Sequence, residues 1–417
     1  MTVPEGWEVK ALEELLVDDS PGFWGSPPAD NPIAVIRSTN LCSDGTLKLD
    51  NIAYRTFPDT KIREKSLLPM DILLERSGGG PDTPVGRVAM FNAEGAYAFS
   101  NFMQRLRINP KTCDPTYILY LLWAFHASGK TTTFQQATTG IRNLNYKEYL
   151  RWPRLLPPLP EQKKIAAILS SVDATIQATR ETIEQTKKLK QGLMQEFLTR
   201  GIGHTRFKQT EIGEIPEEWE VVHLGEITKK IADRNHTTPK YRDSGVIMVS
   251  PKYFSGEEGI QFDLCPFISR EDHEENCKKT DASPGDIILH RIGAGLGRTR
   301  MVEPGMPEFS ILHSLALIRP KHQVVLPYYL LWALRTPASL HQMGQGIQSI
   351  GVPDLGLKKV ASILIALPPI AEQERLLQPI QAISEMLCSH EDYLSTLGVL
   401  KNGLMQDLLT GKVRVVV

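Results

Sequence analysis

The chain has 417 residues, beyond the roughly 250–300 that one compact domain usually reaches, so two or more domains are expected. Apolar residues at 41%, charged residues at 23% and a net charge of −1 exclude a disordered, collagen-like or membrane-embedded chain and a generally basic nucleic-acid binder. The five scattered cysteines form no Cys-x-x-Cys, and the N-terminus has no basic stretch leading into an apolar one, which predicts reduced thiols in a cytoplasmic protein.

Residues 1–155 mix short β-branched runs with a helix. Ile33–Ile36, Asp71–Leu74 and Arg105–Ile108 have strand length, and Tyr117–His126 reads as a helix. Ser128-Gly129-Lys130-Thr131 ends like a phosphate-binding loop. The glycine that motif needs five residues before Gly129 is Ala124, and a helix precedes it where a strand is required. A helix end and loop is therefore expected there.

Residues 156–206 begin with Leu156-Pro157-Pro158-Leu159-Pro160-Glu161-Gln162, a rigid lead into a helix. Ile165, Leu169, Val172, Ile176, Thr179, Ile183, Thr186, Lys190, Leu193 and Phe197 then follow a 4-3-4-3 spacing. A sustained 3.5-residue period is a coiled-coil seam, and residues 165–197 would span roughly 50 Å at about 1.5 Å per residue. This stretch carries 8 Lys+Arg against 5 Asp+Glu, net +3.

Residues 207–366 read as a second small α+β domain, with strands at Val246–Val249, Asp286–Leu289 and Leu315–Ile318 and a helix at Tyr328–Arg335. His273-Glu274-Glu275-Asn276-Cys277 lacks the second histidine of a zinc helix and is expected to form an exposed acidic turn. Gly293-Ala294-Gly295-Leu296-Gly297 predicts a loop able to approach a ligand backbone. Residues 367–417 repeat the helical pattern, with seam positions Leu376, Ile380, Ile383, Leu387, His390, Leu394, Leu397, Lys401, Leu404 and Leu408. Pro379 should kink this helix or delay its onset, and Gly201 and Gly411 mark the two helix ends.

The chain therefore repeats itself. Leu156–Gln162 recurs as Leu367–Gln373, 211 residues later, and Lys190–Thr199 recurs as Lys401–Thr410 at the same offset. Pro4-Glu5-Gly6-Trp7 matches Pro216-Glu217-Glu218-Trp219, Asp71–Arg76 matches Asp286–Arg291, and Tyr120–Ala124 matches Tyr329–Ala333. The fold class predicted is α+β. Two similar domains (1–155 and 207–366) alternate with two helical segments (156–206 and 367–417) that pair as an antiparallel coiled coil with pseudo-twofold symmetry.

This alternation, with "LPPLPEQ", "GLMQEFLT", the run from "GIGH" to "IGEIPEEW", and the terminal "GLMQDLLTGKVRV", resembles the specificity subunits of type I restriction-modification enzymes across the whole chain. The resemblance implies that each globule is a target recognition domain reading one half of a bipartite, asymmetric site in double-stranded DNA. The helices would act as a ruler between the halves and dock two modification subunits. Two restriction subunits would add translocation and cleavage. S-adenosylmethionine, ATP and Mg2+ would reside on those partners, leaving this chain a non-catalytic reader that binds no cofactor, metal or membrane. A spacing of roughly 34–36 Å, one DNA turn, is what two readers on one face need. The alternative class is a two-domain scaffold that binds proteins and not DNA.

Sequence readout needs Arg, Lys, Asn, Gln or Ser at base edges. The candidate DNA contacts are Arg76, Ser77, Arg87, Arg105, Arg107, Arg142, Asn143 and Asn145 in the first domain, and Arg291, Arg298, Arg300, Gln348 and Ser349 in the second. Arg105 and Arg107 alternate in a strand and could equally form its exposed face. Under the resemblance, Glu161, Gln162, Leu193 and Met194, with Glu372, Gln373, Leu404 and Met405, are the candidate docking residues. A helix-capping role for the glutamates and a core role for the leucines remain open readings. No residue is assigned to catalysis.

Overall fold

The structure, a computed structural model, describes residues 3–80, 83–138, 141–237, 239–256, 258–346 and 352–415. The chain divides into two compact units, residues 1–180 with 392–417, and residues 181–391. The division falls inside both long helices, so each unit holds one globule together with a stretch of each helix.

In the first unit, an antiparallel sheet runs in the order Leu16–Pro21, Met103–Ile108, Asp71–Glu75, Val88–Phe91. Its central strand is buried along its whole length. Ile72 and Leu74 pack into one cluster with Tyr117, Ile118 and Leu122 of the helix Pro115–Ala127, while Leu73 joins Ile36, Phe91 and Phe99 on the other face. A strand covered on both sides reads as a continuous apolar run rather than an alternation, which is why Asp71–Leu74 is recognisable in the sequence. Asp114 caps the helix, its carboxylate accepting from the Tyr117 N–H at 2.9 Å. A second sheet orders Ala53–Arg55, Ile33–Ile36 and Tyr97–Phe99, the last two parallel.

The second unit repeats this topology. Its antiparallel sheet runs Thr228–Ala232, Leu315–Pro320, Ile287–His290, Thr299–Met301. Its three-stranded sheet orders Phe267–Ile268, Val246–Val249 and Phe309–Ile311, again with one parallel pair. The first unit also holds a sheet of Gln135–Thr138, Ile141–Leu144 and Ser77–Gly79, with no counterpart among the described residues of the second.

The long helices are continuous over Leu159–Arg200 and Ile370–Leu409. Every predicted seam position is buried or half-buried. The helices run antiparallel in each unit. In the first, the Lys401 ammonium meets Asp173 at 2.7 Å, while Arg414, just past the second helix, meets Glu161 at 2.8 Å. In the second, Lys187 meets Glu391 at 3.1 Å, and Leu198 shares a core cluster with Leu376. Pro379 does not delay the helix, which begins nine residues earlier at Ile370. Leu376 and Ile380, fully buried on either side of it, hold the turn despite the lost backbone bond.

Two local expectations resolve differently. Ser128–Thr131 is the predicted helix end, with Gly129 in the left-handed region at φ +74° and Thr131 fully buried. His273–Cys277 is not a turn but lies in the helix Arg270–Thr280, with His273 buried against Ser310 Oγ (3.0 Å) and Glu308 (3.1 Å). Ser269 accepts from the Asp272 N–H, and Glu271 and Asp272 stand in the first turn. Acidic residues behind such a cap favour a helix N-terminus.

Candidate nucleic-acid interface

In each unit the chain leaves the buried central strand at an arginine, and the same backbone bonds fix that exit. The N–H groups of Arg76 and Ser77 donate to the Phe102 carbonyl, at 2.8 and 3.2 Å, and the Leu144 N–H donates to the Arg76 carbonyl at 2.8 Å. In the second unit Arg291 and Ile292 donate to Ser314, at 3.0 and 3.3 Å, and Leu355 donates to Arg291 at 2.9 Å. The backbones match while the side chains diverge.

In the first unit, the exit becomes the strand Ser77–Gly79, which pairs with Ile141–Leu144. This brings together Arg76, Ser77, Arg142 and Asn143. Arg76 donates to Gln104 at 2.8 Å and lies 4.9 Å over the Tyr146 ring, and Ser77 donates to Asn143 at 2.5 Å. Arg142 is half-buried beside the exposed Ile141. Asn145 precedes the helix Tyr146–Arg151, and its carbonyl accepts from the Tyr149 N–H at 3.0 Å.

In the second unit, Arg291 is 3% exposed. It donates to Asp354 at 2.7 Å, to Asp233, and to His236 at 3.1 Å. The glycine loop follows, with Gly293, Gly295 and Gly297 all at positive φ. A Cβ at Gly297 would meet the end of the exposed Leu340 side chain, at 2.7 Å, so it is the left-handed backbone, at φ +95°, that favours glycine there. Arg298 is exposed, donating to the Pro251 carbonyl at 3.0 Å over the Phe254 ring. Gln348 and Ser349 lie outside the described residues.

Four candidate arginines bond to partners within the chain. Arg87 binds both oxygens of Glu75 (2.9 and 2.7 Å) and the carbonyls of Ser38 and Leu41. The bond to Glu75 holds the Arg87 guanidinium above its ordinary pKa. Arg105 is buried against Asp18 and the Ser66 carbonyl. Burial pushes the Asp18 carboxyl up, but bonds from Arg105 and Ser20 outweigh it and leave Asp18 below the usual range. Arg107 forks onto Asp71 at 2.7 Å through two nitrogens, and Arg319 forks onto Asp286 in the second unit at 2.9 and 2.8 Å. Arg300 is buried and donates to the carbonyls of Gly259, Gly256 and Thr299 at 2.9, 2.8 and 2.7 Å. Arg87, Arg105, Arg107 and Arg300, expected to contact DNA, here bond to the framework of their own globules.

The residues expected to dock partners also make contacts within the chain. Glu161 is 2% exposed and binds Arg414 at 2.8 and 2.9 Å. Gln162 accepts from the Asp114 N–H (2.9 Å) and donates to the Pro157 carbonyl (2.8 Å). Gln373 repeats this with the Leu326 N–H (2.8 Å) and the Pro368 carbonyl (2.9 Å), and Glu372 meets His204 at 2.6 Å. Met405 is buried, Met194 and Leu404 pack on the two cores, and Leu193 is half-buried. Glu161, Gln162, Glu372 and Gln373 lie where each long helix begins inside a globule, and there a buried polar group must be paired.

Sequence reasoning missed Arg234, His236, His313 and Asp354, which surround Arg291. Only pairing of remote strands brings them together. No helix among the described residues is long and apolar enough to cross a membrane.

The chain matches the family described as type I restriction modification DNA specificity domain over residues 4–188 and again over 216–390. A protein of Methanocaldococcus jannaschii assigned as the MjaX type I restriction enzyme specificity subunit is 27% identical, taking in 99% of this chain and 95% of its own. The MjaVIII specificity subunit of the same organism is 28% identical over 76% of this chain and 74% of its own. Among solved structures, a chain from work on complex assembly and conformational transition of the type I R-M system superposes with a TM-score of 0.60, over 99% of this chain and all of that one, at 17% identity. The S subunit from M. genitalium gives 0.55 over 98% of both at 15% identity. Two matched copies, one for each folded globule and together covering most of the sequence, show that this chain belongs to the type I restriction-modification DNA specificity family.

Proposed function

We propose that this chain is the specificity subunit of a type I restriction-modification complex, with each globule reading one half of a bipartite DNA site. The observation that carries the reading is the pair of arginine exits. One backbone framework presents Arg76, Ser77, Arg142 and Asn143 in one globule and, past the buried Arg291, the exposed Arg298 in the other, as two readers of different half-sites require. The paired helices set the spacing between the half-sites and dock two modification subunits, which carry S-adenosylmethionine and methylate adenine. Restriction subunits with ATP and Mg2+ complete the cleaving form. Such an enzyme must flip its target base from the duplex, so a reader held at fixed register serves it better than one on a flexible tether.

The test is a genome-wide map of methylated adenines with and without the gene. Loss of one asymmetric motif with a fixed internal spacer is expected. An unchanged map in a host with an active modification subunit would move the protein-binding scaffold to the front. One heptad inserted near Thr179 should lengthen the spacer and keep both half-sites; altered half-sites with an unaltered spacer would refute the ruler.

A further inference from the structure

The second unit holds a group of buried polar atoms without a partner among the described residues, gathered around Arg291, and the guanidinium nitrogens among them are donors. Arg234 is 6% exposed, and only its Nη2 is used, donating to Thr237 Oγ1 at 2.8 Å. Its Nε and Nη1, the Nε of Arg291, the Nδ1 atoms of His290 and His313, and the Ser314 hydroxyl are buried without a partner. A guanidinium can only donate, so a buried one with two idle N–H groups points to an acceptor supplied from outside.

The group reaches the surface through two histidines. His236 is exposed and His313 half-buried, their rings 4.9 Å apart. Asp233 faces both, lying 3.3 Å from His236 and bound to Arg291, which also meets Asp354. Burial lowers the Arg234 pKa, opposed by the charges of Asp272 and Tyr241, and His290 donates to the Ile292 carbonyl at 2.7 Å. Burial pushes the His313 imidazole below its ordinary pKa, with the charges of His236, Arg234 and Arg291 adding to this and Asp233 opposing it.

We propose that Arg234, His236 and His313 form a proton-linked phosphate clamp that takes a backbone phosphodiester of DNA at the second half-site. This rests on the specificity-subunit reading and adds to it an asymmetry between the halves. A phosphodiester is acceptor-only and negative, which suits the idle donors of Arg234. It would also offset the positive neighbours that disfavour protonated His313, so binding takes up protons and tightens as pH falls from about 8 to about 6. These positions have no counterpart side chains in the first unit. Following the paired strands, Gly22 stands where Arg234 does, and Asn101 and Phe102 stand at His313 and Ser314. A Cβ at Gly22 would lie 1.9 Å from the Ser100 carbonyl oxygen, so no side chain fits there.

The experiment measures binding of the full chain to duplex DNA against salt, at both pH values. Each phosphate contact contributes about 0.9 to the slope of log K against log salt. Arg234→Gln should lose about that much, while Arg234→Lys, which keeps the charge, should retain most of it. His313→Asn should remove most of the tightening at low pH and leave the slope at high pH unchanged. If both Arg234→Gln and His313→Asn match the parent in slope and pH response, the clamp is wrong and the DNA reading stands. If the parent shows no salt-dependent DNA binding, both fall. Histidine ring resonances that respond to inorganic phosphate but not to duplex DNA would assign the clamp to a small phosphate ligand and overturn the proposal.

Discussion

Lys190 and Lys401 occupy the same place in the repeat, 211 residues apart, and both are buried, at 6% and 7% exposure. They are satisfied differently. Lys401 meets Asp173 of the opposing helix at 2.7 Å and lies over the rings of Trp123 (4.7 Å) and Tyr120 (5.7 Å), whose hydroxyl donates to the same carboxylate at 2.6 Å. The residue equivalent to Asp173 is Ser384, which spends its hydroxyl on the Ile380 carbonyl. Lys190 instead meets Glu258, 3.1 Å away in the globule, a carboxylate it shares with Arg335 at 3.8 Å. In the first unit the helices answer their own buried charge. In the second they borrow the answer from the recognition domain.

The strongest way to break this comparison is at the feature the units share. Gln162 and Gln373 each tie a buried backbone N–H and a proline carbonyl to the start of a long helix. Replacing either by leucine strands those groups, at about 1–3 kcal/mol for each buried polar group left unpaired. Gln162→Leu and Gln373→Leu should therefore each destabilise the chain by about 3 kcal/mol in a denaturant titration. A loss confined to one of them would show that the repeat in sequence is not a repeat in energetics.

Those glutamines also show where the sequence stops being legible. The coiled-coil seam can be read because a 3.5-residue period is a property of one helix, and all its positions are covered. The central strands can be read because burial on both faces leaves an apolar run. The direction of a polar side chain cannot, because it depends on strands paired across long separations. Arg105 meets Asp18 from 87 residues away, and Arg414 meets Glu161 from 253. Of the candidate interface, the strand leading to Arg76 is legible as a segment matched by Asp286–Arg291, whereas the surroundings of Arg291 arise only from sheet register.

A smaller effect sharpens the contrast between the seam lysines. Lys401→Met should cost about 1 kcal/mol, since it breaks a charge-assisted bond and a cation–ring contact at a mostly buried site. Lys190→Met should cost less than about 0.5 kcal/mol, because half-exposed Glu258 keeps Arg335 and solvent as partners. Ser384→Asp would give Lys190 a partner on the opposing helix and should raise stability by about 0.5 kcal/mol. Equal costs for the two lysines would mean that the globule contributes as much as the helix does. Exchange of residues 207–366 for a relative's domain would then disturb the helix pair no more than exchange of residues 1–155.

The smallest expected effect is acid release of the C-terminal tail from the first unit. The bond from Arg414 holds the Glu161 carboxyl below its ordinary pKa; burial opposes this and the Val415 N–H assists it. A carboxyl lowered in the folded state stabilises fully above its unfolded value of about 4.3 and loses that contribution as pH falls through the folded value. Above about pH 5 the tail should therefore stay docked, and hydrogen exchange at the Val415 amide, which donates to Glu161 at 3.3 Å, should be slow relative to an unstructured reference. On acidification below about pH 4, exchange should approach that reference before the core opens. Glu161→Gln should show the faster exchange at every pH, because the neutral amide loses the charge that Arg414 answers. A tail that stays protected at low pH, or a variant whose protection still changes with pH, would place its anchor in the packing of Val415 on the core rather than in the ion pair.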